Sequence, residues 1–204
     1  MSFVSFERKE INFKIVYYGP PLGGKTTNLK YLHEVMPQDA KGKLTMLATA
    51  QDRTLYFDFL PLKSDAIKGF VSRFQLYTVP GQPIYEKTRR IVLTGADGVV
   101  FVGDSQWGKM KENAQSFSNL RENLSLHGRS LAEIPYIIQY NKRDLDDVAP
   151  TEYMDFLLNH DESKAPCFEA VAKEGVGVTE SLNRISKMVM AQFIEQNKLS
   201  LTSA

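Results

Sequence analysis

The chain is poor in cysteine and histidine, carries almost no net charge, and has no long apolar run. Its one cysteine, Cys167, cannot form an internal disulfide, which excludes a disulfide-stapled secreted scaffold and fits a reducing cytoplasm. The histidines, His33, His127 and His160, are scattered, and none has metal-ligand spacing with Cys167, so no zinc site is expected. A formal charge of +1 sets up no global field toward nucleic acid or anionic lipid. No stretch interleaves basic and aromatic residues as an RNA-binding surface does. Nothing approaches the ~18 consecutive apolar residues of a membrane span. The start, Met1-Ser2-Phe3-Val4-Ser5-Phe6, has no basic segment followed by an apolar core, Ser2 stands where myristoylation needs glycine, and no prenylation cysteine ends the chain. No leader or lipid anchor is therefore expected, and any membrane attachment is expected to run through a partner.

What remains is an ordinary globular composition, 43% apolar and 24% charged over 204 residues, enough for one domain with one core. The domain is expected over 1–197, with a polar tail at 198–204. The most informative stretch is Gly19-Pro20-Pro21-Leu22-Gly23-Gly24-Lys25-Thr26. It follows an apolar run, Phe13 to Tyr18, that reads as a buried strand. It precedes a segment whose Leu29, Leu32 and Val35 share one helical face. Strand, G-x-x-x-x-G-K-[ST], helix is the phosphate-binding P-loop in the context it requires. Loop N–H groups and the positive end of the following helix cradle a polyphosphate, Lys25 reaches the β- and γ-phosphates, and the Thr26 hydroxyl takes a Mg²⁺ position.

Along the chain, Phe3 to Arg8 and Ile11 to Tyr18 read as strands able to form an antiparallel hairpin at a sheet edge. Leu44 to Thr49 is a short strand or an ordered loop. Leu55 to Leu60 and Gly69 to Tyr77 read as strands, the second running into Thr78-Val79-Pro80-Gly81-Gln82. Tyr85 to Leu93 is helical in spacing. Gly98 to Gly103 is continuously apolar, as a central parallel strand covered on both faces must be. A helix with Met110, Ala114, Phe117, Arg121 and Leu124 on one face follows. Pro135 to Tyr140 is a strand leading into Asn141-Lys142-Arg143-Asp144. A short helix spans 150–159, a short strand runs from Pro166 to Glu169, and a last helix carries Val178, Leu182, Ile185, Val189 and Phe193, with Thr179 as N-cap. This alternation predicts an α/β doubly wound, mostly parallel sheet with helices on both faces. Ligands bind beyond the carboxyl ends of such strands. The P-loop, Thr78 to Gln82, Asn141 to Asp144 and Glu169 to Lys173 all fall there.

Asn141-Lys142-Arg143-Asp144 is N-K-x-D. A carboxylate at Asp144 accepts from the N1–H and 2-amino groups of guanine, donors that adenine does not present in that arrangement. Asn141 can serve the imidazole edge, and the Lys142 stem can lie along the base. With these residues in place the chain resembles the Ras-like small GTPases, and more closely the bacterial polarity GTPases of the MglA family. The likeness rests on Lys14 to Pro20, Gly24 to Leu29, Asp52-Arg53-Thr54-Leu55, Phe57 to Leu62, Leu76 to Gln82, Asp97 to Val102 and Gln139 to Leu145, and it covers nearly the whole chain. Thr78 stands where most Ras-like proteins have an aspartate, as in the MglA family.

The resemblance implies a Ras-like GTPase domain that binds GTP and GDP with Mg²⁺. It assigns nucleotide contacts to Gly19, Leu22, Gly23, Gly24, Lys25, Thr26, Thr27, Thr54, Gly81, Asn141, Lys142, Asp144 and Ala172, the last through its backbone to the guanine oxygen. It assigns the metal to Thr26 and Thr54, with Asp58 replacing the missing aspartate in the outer shell. Catalysis falls to Gln82, which orients the attacking water, to Arg53 as an arginine finger in cis, and to Lys25. It implies control of cell polarity and of gliding or type IV pilus motility, an MglB-like roadblock homodimer as activator, polarity or motility effectors as further partners, and a cytoplasmic monomer recruited to a pole by partners. Two residues depart from the pattern. Pro21 replaces the usual glycine nearest the γ-phosphate and removes one N–H, and Pro83 biases Gln82 toward extended backbone. Both predict slow hydrolysis, with Pro21 either loosening the loop's hold on phosphate or crowding Gln82. The alternatives are a guanine-nucleotide scaffold with negligible hydrolysis and, against the N-K-x-D sequence, a P-loop kinase of a small molecule.

Overall fold

The strand ahead of the P-loop changes character halfway, and the sheet explains why. In the computed structural model, which describes residues 3–49, 52–59, 67, 69–160 and 164–198, β1 (Phe3–Ser5) pairs antiparallel with the first residues of β2 (Glu10–Tyr18). On that same side β6 (Gly98–Asp104) takes over at Ile15 and runs parallel to Tyr18. Burial alternates along the half beside β1, then becomes continuous from Ile15 to Tyr18, where helices cover both faces. The N-terminal hairpin expected from the sequence is therefore present, and its second strand continues as an interior strand.

Described strands follow the order β3-β4-β5-β2-β6-β7-β8, with β3 (Thr45–Thr49), β4 (Asp52–Phe59), β5 (Val71–Thr78), β7 (Tyr136–Asn141) and β8 (Cys167–Ala170). From β5 to β8 all neighbours on this path are parallel; β3 and β4 are antiparallel to their neighbours. The stretch from Thr45 to Thr49 is thus a strand, and the strand expected from Leu55 begins three residues earlier, at Asp52.

Helices α1 (Lys25–Val35) and α5 (Val178–Lys198) cover one face, packing Leu29, Leu32, Leu182 and Ile185 on Ile15, Tyr17, Val100 and Ile137. The other face carries α2 (Glu86–Leu93), α3 (Met110–Ser125) and α4 (Thr151–Leu158), with Phe117 meeting Phe101 edge-on at 4.9 Å. Three local expectations need correction. Val35 is exposed, so α1 buries Leu29 and Leu32 with Asn28 instead. On α3 the buried set is Met110, Asn113, Phe117, Leu120, Asn123 and Leu124. Ala114 and Arg121 are only half-buried, because two asparagines take core positions that an apolar periodicity passes over. Thr179 does not cap α5; the helix starts one residue before it, at Val178. Of the expected tail, only Lys198 lies within the described residues, as the end of α5. Among the described residues no helix is long and apolar enough to cross a membrane.

Candidate functional site

The P-loop leaves β2 and enters α1 through a backbone that constrains residue type. Gly24 has φ +105, and a Cβ there would stand 2.0 Å from the Asn141 amide nitrogen. Gly19 has φ +143, with Val102 O 2.2 Å from the place a Cβ would take. Leu22 adopts φ 59 with a side chain and is 84% exposed. An L-residue held left-handed costs roughly 1–2 kcal/mol, and such residues turn successive N–H groups into an anion-binding nest.

Lys25 is buried, and its ammonium donates to the Gly19 and Pro20 carbonyls at 2.8 and 2.6 Å. Desolvation, and secondarily the Arg89 guanidinium, pull its pKa down to about 7. A cation whose acceptors here are neutral carbonyls gains from an anion beside it, so the donor set fits a polyphosphate. Thr26 is exposed at the second position of α1, where its hydroxyl fits a cation shared with phosphate oxygens. Thr27 follows, half-buried.

Asn141, at the end of β7, ties the loops together. Its Nδ2 donates to Gly23 O and its Oδ1 accepts from Ala172 N–H, both at 2.9 Å. Lys142 takes φ 68, and its ammonium reaches the buried Asp104 carboxylate at 2.5 Å, with Gln106 Oε1 at 3.4 Å. Asp144 accepts from Lys173 Nζ at 2.6 Å, and this partner holds its carboxyl below the usual range. It is ionised at neutral pH, as an acceptor for two guanine N–H groups must be.

The remaining predicted residues lie on the other side of the P-loop. Arg53 and Thr54 are on β4, opposite Ala48 and Leu47 of β3; there the structure describes the backbone alone. β4 pairs with β5 from Tyr56 onward, so Arg53 and Thr54 extend past the carboxyl end of β5, toward the P-loop rim. Asp58 is lower, opposite Gln75. Gln82 has extended backbone, φ −72 and ψ 140, as Pro83 dictates, and its side chain is exposed. Pro21 packs against Gly81, the residue before Gln82: a Cβ on Gly81 would stand 2.4 Å from Pro21 N and 2.5 Å from its Cα.

No family model matches the chain. It is, however, 52% identical over 192 residues to the mutual gliding-motility protein MglA of Myxococcus xanthus (strain DK1622), an alignment covering 94% of this chain and 97% of the relative. The chain belongs to the MglA family of Ras-like GTPases.

Several members of this MglA-family rim escaped the sequence reading. Arg89 on α2, only 5% exposed, donates to Gln82 O at 2.5 Å and Pro80 O at 3.5 Å, and through Nε to Asn119 Oδ1 at 2.9 Å. It fixes the loop backbone around Gln82 to α3, above a cleft of about 640 Å³ lined by Pro21, Gly81, Lys109 and Glu112. An arginine at a helical position reads as solvated from sequence, and no signal marked it. Asp104 and Lys173, the partners of Lys142 and Asp144, carried a weak signal, since one ends β6 and the other follows β8 at the rim. On the far face of β7, Tyr140 donates to Asp155 at 2.6 Å, and the Cys167 thiol lies 3.4 Å from both. Burial there pushes the thiol up to about 11.

Proposed function

We propose that this protein is a guanine-nucleotide switch that hydrolyses GTP slowly and regulates polarity and gliding motility through GTP-dependent partner binding. The observation that carries the proposal is Asn141, which joins the Gly23 carbonyl of the P-loop to the Ala172 N–H; one support shared by these two loops favours joint reading of phosphate and base. Lys25 and the N–H groups from Leu22 to Thr27 hold the phosphates. Asp144 selects guanine, Lys142 lines the base, and the Ala172 N–H turns to the guanine oxygen in exchange for its bond to Asn141 Oδ1. Thr26 and Thr54, supported by Asp58, would hold Mg²⁺, which would supply charge neutralisation at the phosphates. Gly81 donates to the γ-phosphate, Gln82 positions the attacking water, and Arg53 counters charge that develops in the transition state.

Motility as the output rests on the name of the Myxococcus relative. An MglB-type roadblock homodimer is the activator this reading expects, and a cell pole reached through partners is the expected location. Single-turnover hydrolysis of GTP, with ATP as control, tests the reading in the parent and in Arg53→Ala and Gln82→Ala. The expected result is GTP-specific turnover below ~1 s⁻¹ that both variants lose while still binding GTP. A second reading, a scaffold with negligible hydrolysis, is favoured by the packing of Pro21 on Gly81. Tight GTP binding with no turnover in the parent would select it.

A further inference from the structure

Beneath the Asn141 contacts lies a second polar rung, beside a core layer of aliphatic and aromatic side chains. Asn28 of α1 and Gln139 of β7 face each other fully buried and exchange reciprocal amide bonds, Asn28 Nδ2 to Gln139 Oε1 at 2.9 Å and Gln139 Nε2 to Asn28 Oδ1 at 3.0 Å. The second hydrogen on each nitrogen is also used. Asn28 Nδ2 donates to Gly24 O at 3.0 Å, and Gln139 Nε2 to Ser181 Oγ at 3.2 Å. Ser181, also buried, passes its own proton to Gly177 O at 2.5 Å. Every N–H and O–H of this chain of groups has an acceptor.

A buried amide pair contributes little net stability over leucine or methionine of similar volume, but it is directional. Apolar side chains would let α1, β7 and α5 slide by fractions of an ångström; a reciprocal amide pair does not. The ends of the rung fall at functional backbone. The Gly24 carbonyl also accepts from Asn28 N–H at 2.9 Å, so its peptide plane is held twice. Across that planar trans unit the Lys25 N–H points the opposite way, into the phosphate cradle. Gln139 lies two residues before Asn141, on the same face of β7. Gly177 closes the loop that carries Ala172.

We infer that Asn28, Gln139 and Ser181 are positioning residues that lock the phosphate loop, the base-selecting strand and the Ala172 loop in one register, so that bound guanine nucleotide is retained at both ends. This inference rests on the guanine-nucleotide reading above.

The test uses release of GDP carrying a fluorescent N-methylanthraniloyl group, with Mg²⁺ present, alongside thermal melting. Asn28→Leu alone strands polar groups of Gln139; it is expected to lower the melting temperature and to speed release about 10-fold. The double variant Asn28→Leu with Gln139→Met removes both amides, and it should regain the parent melting temperature while still releasing GDP about 10-fold faster. Recovery of both properties would overturn the inference, since the pair would then only fill the core. If the double variant does not fold, Ser181→Ala at the end of the rung decides: release about 3-fold faster supports the inference and parent-like release overturns it. Failure of the parent to bind the labelled GDP would instead overturn the guanine reading, and this inference with it.

Discussion

The two sides of the P-loop rim are built differently. Toward β7 and β8 the loop is pinned by the buried Asn141 amide through two bonds at 2.9 Å, and a methyl group at Gly24 would have no room. Toward β4 and β5 the residues assigned to hydrolysis sit on a strand past its neighbour's end and on a loop with an exposed Gln82, tied to α3 through Arg89. The residues assigned to recognition are continuous with the core, whereas those assigned to hydrolysis hang on connections between elements. Substitutions should therefore separate into those that abolish binding and those that spare it.

The largest effect is expected from Gly24→Ala, which combines a left-handed φ with a 2.0 Å clash on the Asn141 amide. Equilibrium binding of labelled GDP should weaken by roughly 100-fold or more, and the melting temperature should fall. Asn141→Ala follows, because it leaves Gly23 O and Ala172 N–H unpaired. Roughly 30- to 100-fold weaker binding is expected from two such bonds, with an unaltered hydrolysis rate once the site is saturated. Arg89→Ala probes the opposite side: single-turnover hydrolysis should drop about 10-fold as the Gln82 backbone loses its anchor, with GTP affinity changed less than about twofold. Equal losses of affinity from Asn141→Ala and Arg89→Ala would erase the contrast.

The smallest signal is a fraction of a proton. In the folded protein the Lys25 amine is pulled to about 7, against 10.5 ordinarily, so between those values the folded chain binds fewer protons than the unfolded one. Stability from this group is flat below pH 7 and rises as pH increases from 7 to 10.5. A phosphate beside Lys25 restores the ammonium, so GTP binding at pH 8 should take up protons and at pH 6 should not. Titration calorimetry in two buffers of different ionisation enthalpy measures this; equal uptake at both pH values would remove Lys25 as the source.

What the sequence revealed follows the same division. The P-loop and N-K-x-D segments were legible because short spacings dictate their backbone chemistry directly, and each follows a mostly apolar run that ends at the rim. Arg89 was not, since nothing in Glu86 to Leu93 distinguishes an arginine folded under a loop from one in water. Asn28, Asn113, Asn123 and Gln139 were passed over for the opposite reason: each occupies a buried position with a polar side chain, so a hydrophobic periodicity counts it as surface. Leu22 shows a third limit, because a left-handed residue other than glycine leaves no trace in composition.

The surroundings of Cys167 bear on how movement in this protein can be observed. With its thiol pushed up to about 11, the chain's one cysteine holds on the order of 100-fold less thiolate at neutral pH than an ordinary exposed cysteine. Maleimide dyes react through the thiolate, so a cysteine introduced at an exposed position would be labelled first, with the native residue left in place. Paired dyes near Gln82 and on α5 could then report distances in the unaltered core, without a cysteine-free background whose substitution would disturb the strand beside the base-selecting loop.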